Sequence, residues 1–229
     1  MLTVTALFVD PTGPYPRLPG VEVYALPDRD ARDYTGPHPV VAHPPCAAWG
    51  RFSKPTPEST ARGPLLGDDD GCFEDALSAV ELFGGVLEHP KDSKAWRHPA
   101  AGTAARPLPV PGGWKPGTVW RTVAEGWTKH DCRPGWSCLV EQGHYGHAAR
   151  KPTWLYWCPA PGFEHLRPPP LYWGPSDPPP IGTGARRGNL ESMSKRQRRL
   201  TPDPFARLLV ALARYAGGEA WDPTVAVPT

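Results

Sequence analysis

Proline punctuates this chain so heavily that regular structure is confined to the windows between breakers. Thirty-three Pro and 24 Gly stand among 229 residues, roughly a quarter of the chain, the level at which a sequence without periodicity reads as disordered. Ten Trp, seven Tyr and six Phe oppose that reading, because so much aromatic surface is stable only when buried. The balance predicts one folded domain over residues 1–216 with long, Pro-stiffened loops, a Pro-rich and basic insertion at 159–200, and a flexible tail at 217–229. No apolar run reaches about 18 residues, so no transmembrane helix and no membrane partner are expected. Five cysteines, an odd number with no secretory signal ahead of them, predict free thiols in a reducing cytoplasm. The formal charge of +2 by itself selects no partner.

Between the breakers the apolar pattern gives short strands. Leu2–Val9, Val21–Ala25 and Pro39–His43 are apolar or β-branched runs closed by turn residues, as buried parallel strands are. Asp68-Asp-Asp-Gly then opens a helix with Phe73, Leu77, Val80 and Phe83 on one face, and Gly84-Gly85 ends it. Val86–His89, closed by Pro90, completes a strand–helix–strand crossover. Residues 99–127 give no assignable element. Ser137–Gln142 and Thr153–Cys158 read as a late pair of strands. The final helix takes Thr201 as N-cap and Pro202 as its first residue, with Phe205, Leu208, Leu209 and Leu212 facing the core. The pattern is α/β.

Chemistry-bearing residues stand just past two strand ends, where open α/β sheets bind ligands. The first group is His43-Pro-Pro-Cys46 with Ser53; the second is Glu88-His89-Pro90. Alone, a Cys in the position of Cys46 is more often a small buried apolar residue than a nucleophile, and Glu88 has its own plain reading as a salt-bridged strand end. Arg186, Arg187, Lys195, Arg196, Arg198 and Arg199, opposed in 185–200 only by Glu191, form a basic run suited to phosphates or to plain solvation. Trp49 and Trp136, if exposed, suit base stacking. Cys132, Cys138, His130, His144 and His147 match no common zinc spacing, and no metal is expected.

Pro44-Pro45-Cys46 with Phe52-Ser53, followed one helix and one strand later by Glu88-His89-Pro90, resembles the nucleophile and Glu-Asn motifs of DNA cytosine-5 methyltransferases. Gln142–Tyr156 and Arg198–Pro202 are similar to segments of phage and prophage methyltransferase-like proteins. The resemblance implies a Rossmann-like, methyltransferase-type sheet with helices on both faces. It implies Cys46 as the nucleophile at cytosine C6 and Glu88 as the partner of N3, on a base that has left the duplex. Pro44, Pro45, Ser53, His89, Pro90, Gln142, His147 and Lys151 would surround the substrate, which is DNA. S-adenosylmethionine would lie against Phe8, Asp10, Gly13 and Glu22. The loop Phe8–Tyr15 departs from the family's Phe-x-Gly-x-Gly, having one Gly and two Pro. That departure keeps two further readings open: a non-catalytic nucleic-acid-binding protein on a degenerate methyltransferase fold, and a different base or nucleotide modification using another cofactor.

Overall fold

The computed structural model describes residues 1–50, 53–60, 63–97, 126–129, 133–172, 176–177, 194, 197 and 199–227. Among the described residues the fold is mixed α/β around one seven-stranded mixed sheet. Its strands are β1 (Val4–Leu7), β2 (Val21–Tyr24), β3 (Val40–Ala42), β4 (Gly85–Pro90), β5 (Thr128–Lys129), β6 (Trp136–Glu141) and β7 (Pro152–Cys158). They lie in the order β2-β1-β3-β4-β7-β6-β5. The first four are parallel, whereas β7 is antiparallel to both of its neighbours, β4 and β6. β6 therefore runs in the direction of β4, and the carboxyl ends of β1, β3, β4 and β6 share an edge with the amino end of β7.

Side chains alternate between the faces of each strand, and the two apolar clusters follow that alternation. Val4, Ala6, Val41, Val86, Val140, Leu155 and Trp157 pack with helix α2 (Asp203–Ala216) on one face. Leu7, Val40, Ala42, Leu87, Trp154 and Tyr156 pack with helix α1 (Cys72–Phe83) on the other. One helix thus covers each face among the described residues. The expected apolar stripe of α2 is fully buried at Phe205, Leu208, Leu209 and Leu212. Its start lies one residue later than expected, with Pro202 rather than Thr201 at the N-cap and no capping side chain. On α1, Asp69 takes the capping role, its Oδ2 accepting from the Phe73 amide at 3.0 Å and from Trp49 Nε1 at 2.7 Å. Gly84 closes α1 at a φ of 78°.

The segment after Gly217, expected as a flexible tail, makes contacts with the chain ahead of β1 and with α2. Glu219 Oε2 accepts from the Leu2 amide at 2.6 Å, Trp221 packs edge-on against Tyr215, and Pro223–Ala226 forms a 3-10 turn. Apolar residues in the segment, Trp221, Val225 and Ala226, bury part of their surface on the α2 cluster, and this is why it docks. Trp49, suited to base stacking only if exposed, is fully buried against Phe73. No helix among the described residues is long and apolar enough to cross a membrane.

Candidate functional site

Glu88, His43, Gln142 and Thr153 come from different strands or strand ends but share one parity. Each stands two residues from an apolar residue of the α2 face: Val86, Val41, Val140 and Leu155 respectively. They therefore converge at one edge of the sheet, on that face, and hydrogen bonds join them. Glu88 Oε2 lies 2.9 Å from His43 Nδ1, and Glu88 Oε1 accepts from Gln142 Nε2 at 3.0 Å. Gln142 Nε2 also donates to Thr153 Oγ1 at 3.0 Å, and that hydroxyl donates to the Lys151 carbonyl at 3.1 Å. On the far side, the Tyr15 hydroxyl is 2.6 Å from His43 Nε2.

Burial works against the charge on Glu88, but the His43 hydrogen bond and field outweigh it and pull the carboxyl down to about 2. Such a group is an acceptor at both oxygens. Cys46 follows the turn Pro44-Pro45, and solvent reaches the residue. The surrounding protein and the Glu88 charge nevertheless push its thiol up, with Arg199 and Lys151 pulling the other way. Lys151 immediately precedes β7 with a φ of 42°, an uncommon conformation for a side chain other than Gly or Asn. Its Nζ donates to the Leu200 carbonyl at 2.9 Å. Burial pushes the Lys151 ammonium down, while Glu88 and Cys46 draw it back up. Glu88 and Lys151 therefore each perturb the ionisation of Cys46, and Glu88 and Lys151 perturb one another.

Other expected site residues have different placements. His89 points to the opposite face, where its buried ring meets Phe73 at 5.0 Å and Trp96 at 6.0 Å. Burial there lowers it to about 4. A strand cannot direct both Glu88 and its neighbour into one site, so His89 is a core residue. The Ser53 hydroxyl closes its own turn by donating to Gly50 O at 2.6 Å. The Pro90 carbonyl accepts from Trp96 Nε1. His147 is buried in the turn before β7, its Nδ1 2.9 Å from the Ala149 carbonyl oxygen and 3.0 Å from its amide nitrogen. Pro44 is buried and Pro45 exposed beside Cys46. Arg186, Arg187, Lys195, Arg196, Arg198, His130 and Cys132 lie outside the described residues; Arg199 is exposed.

The loop after β1 fits S-adenosylmethionine poorly as it stands. Asp10 Oδ1 accepts from the Thr12 amide and hydroxyl, and the Gly13 amide donates to Asp10 O. Gly13 thereby serves a closed turn, where a Cβ would meet Asp10 O at 2.9 Å. Phe8 packs toward the α1 cluster at a φ of 58°. Glu22 pairs with Thr5 two residues before β2 ends, is exposed, and lies 3.9 Å from Arg29 Nη1. None of these presents an open backbone or a free strand-end carboxylate to a ligand. Among the described residues no group of three or more His, Cys, Asp or Glu is arranged to hold a metal; His144 instead meets Tyr172 edge-on at 4.6 Å, and Cys138 is core.

Sequence reasoning did not place Tyr15 or Thr153 in the site, and it placed His43 at the head of the Cys46 group without giving it a role. His43 had a signal, since it ends its strand just before a proline as the Glu88 pair does on the adjacent strand. Tyr15 had none. No family model matches the chain, and neither a curated protein nor a solved structure matches it.

Proposed function

We propose that this chain is a DNA base-modifying enzyme of the cytosine-5 methyltransferase type, on a Rossmann-like sheet, of the kind found in phages and prophages. One observation carries the reading: Cys46 and Glu88, far apart in sequence, stand at one edge of the sheet within electrostatic reach of one another, with Lys151 and Arg199 also within electrostatic reach of Cys46. In the proposed reaction the Cys46 thiol, which solvent reaches, first gives its proton to water. The thiolate adds to C6 of the ring, and the C5–C6 π pair moves toward C5 and N3, making C5 nucleophilic. Lys151 and Arg199 lower the cost of the thiolate. Glu88, an acceptor at both oxygens, accepts from the ring's amino group, and a proton taken up between the carboxylate and the ring lets it hold N3 as charge builds there. S-adenosylmethionine would supply the methyl group to C5, and loss of the C5 proton with expulsion of the thiolate would then restore the ring.

The methyl donor rests on the resemblance, because the loop after β1 fits it poorly. That same loop, together with a resting thiol pushed up and a resting carboxyl pulled down, favours a second reading. In it the Cys46 site performs another base or nucleotide modification with a different cofactor. Mass spectrometry of nucleosides from DNA of cells expressing the protein tests both at once. A 5-methyldeoxycytidine signal that vanishes with Cys46→Ala is expected from the first reading. A different modified nucleoside, equally dependent on Cys46, replaces it with the second. DNA unchanged by the wild-type protein contradicts both and leaves the binding protein on a degenerate scaffold.

A further inference from the structure

Two bonds in the site tie the loop after β1 to the catalytic carboxylate, and they restrict where protons can sit. The Tyr15 side chain is buried, with 2 % of the residue exposed. Among the described residues its hydroxyl has one hydrogen-bond partner, His43 Nε2. A buried phenol that keeps its proton has to give it to an acceptor or leave a donor unsatisfied. Burial and the Glu88 charge both raise Tyr15 well above the ordinary phenol range, so it does keep its proton. His43 Nε2 must then be the bare, accepting nitrogen. The remaining ring proton sits on Nδ1, which is the atom facing Glu88 Oε2 at 2.9 Å. On the other oxygen, Gln142 supplies a second N–H.

We propose that Tyr15 and His43 are positioning residues: Tyr15 fixes His43 as the neutral Nδ1–H tautomer, and that tautomer fixes the aim and the charge of Glu88. The inference rests on Glu88 being the group that meets the substrate. The partner of one ring nitrogen selects what the other can do, as it does for metal-bound and catalytic histidines. If Tyr15 moved away, His43 could carry its proton on Nε2 and turn a bare Nδ1 toward Glu88, which would then hold a proton itself. The neutral acid is the form that donates to N3. The loop around Asp10–Tyr15, where the family's cofactor would lie, is thus linked to the protonation of the group that holds the base. The ionisable groups facing Glu88 are His43 and Cys46 from the loop after β3, Lys151 from the start of β7 and Tyr15 from the loop after β1, with His89 of its own strand acting on it from the opposite face of the sheet.

Nitrogen-15 NMR of the His43 ring reads the tautomer directly and needs no substrate. Assignment would use His43→Asn, and the protein would be held at neutral pH. In the wild type a bare, pyridine-type Nε2 and a protonated Nδ1 are expected. In Tyr15→Phe the bare Nε2 signal should be lost as that nitrogen gains a proton. A wild-type ring with its proton on Nε2 overturns the proposal, and so does a Tyr15→Phe spectrum identical to wild type. Neither result touches the test of Cys46 chemistry, so a failure of this inference is distinct from a failure of the proposed function.

Discussion

Gly85→Ala is expected to remove most of the protein's stability, on the order of 4 kcal/mol from a total typically between about 5 and 15. Gly85 opens β4 beside Val40 of β3 at a φ of 126°. A Cβ there would lie far inside contact distance of the Val40 carbonyl oxygen, and also close to the Val40 nitrogen and carbonyl carbon. The obstacle is backbone held in a ladder, so it cannot swing aside as a side chain would. Two costs add: a backbone conformation that residues with a Cβ rarely adopt, and separation of the two central strands that carry His43 and Glu88. Urea unfolding followed by tryptophan fluorescence measures it. A sharply lowered midpoint or an insoluble product is expected, and a midpoint equal to wild type would contradict the placement of β3 against β4.

Glu88→Ala should cost about 3 kcal/mol at neutral pH, because it leaves His43 Nδ1–H and Gln142 Nε2–H as buried donors without their acceptor. The pH dependence follows from the same bonds. The folded carboxyl sits at about 2, below its ordinary 4.5, so the unfolded chain takes up its proton first as pH falls. The stabilisation is complete above the unfolded value and is lost between about 4.5 and about 2, an interval worth roughly 3 kcal/mol. Thermal unfolding of the wild type should therefore show an acid limb across that window, and Glu88→Ala should flatten it. An acid limb of equal depth in both proteins would show that Glu88 is not held as an anion. In the nucleoside assay the same variant should lose modification, since no carboxylate remains to hold the ring.

The strands were legible in the sequence because proline and glycine mark their ends physically. Proline lacks the N–H a ladder needs, so Pro39, Pro44 and Pro90 bound β3 and β4 to within a residue of their observed limits. The crossover through α1 was legible for the same reason, together with the spacing of Phe73, Leu77 and Val80. The position of β7 between β4 and β6 was not, because no local pattern encodes which strands pair across sixty or more residues. Two-residue β5 is too short to show any periodicity. In the site, Cys46 and Glu88 were legible as strand-end residues, whereas His89 was misplaced by adjacency. Its neighbour Glu88 follows Val86 onto the α2 face, and period-two alternation sends His89 to the α1 face. Glu22 failed by the same rule, since Val21 and Val23 on either side of it pack on the α2 cluster and leave it exposed. Tyr15 was invisible because its role depends on a loop folding back across β1 to a residue 28 positions away.

The central claim is that Cys46 adds to a pyrimidine ring held by Glu88. A single-stranded oligonucleotide carrying 5-fluorodeoxycytidine tests it most directly, with and without S-adenosylmethionine, by intact-protein mass spectrometry and peptide mapping. Fluorine at C5 cannot leave as a proton does, so a ring that has been attacked at C6 and then alkylated at C5 stays attached. The account predicts a protein–DNA adduct mapped to the Cys46 peptide, absent with Cys46→Ala and strongly reduced with Glu88→Ala. An adduct that persists in Cys46→Ala, or maps to another cysteine, would contradict it.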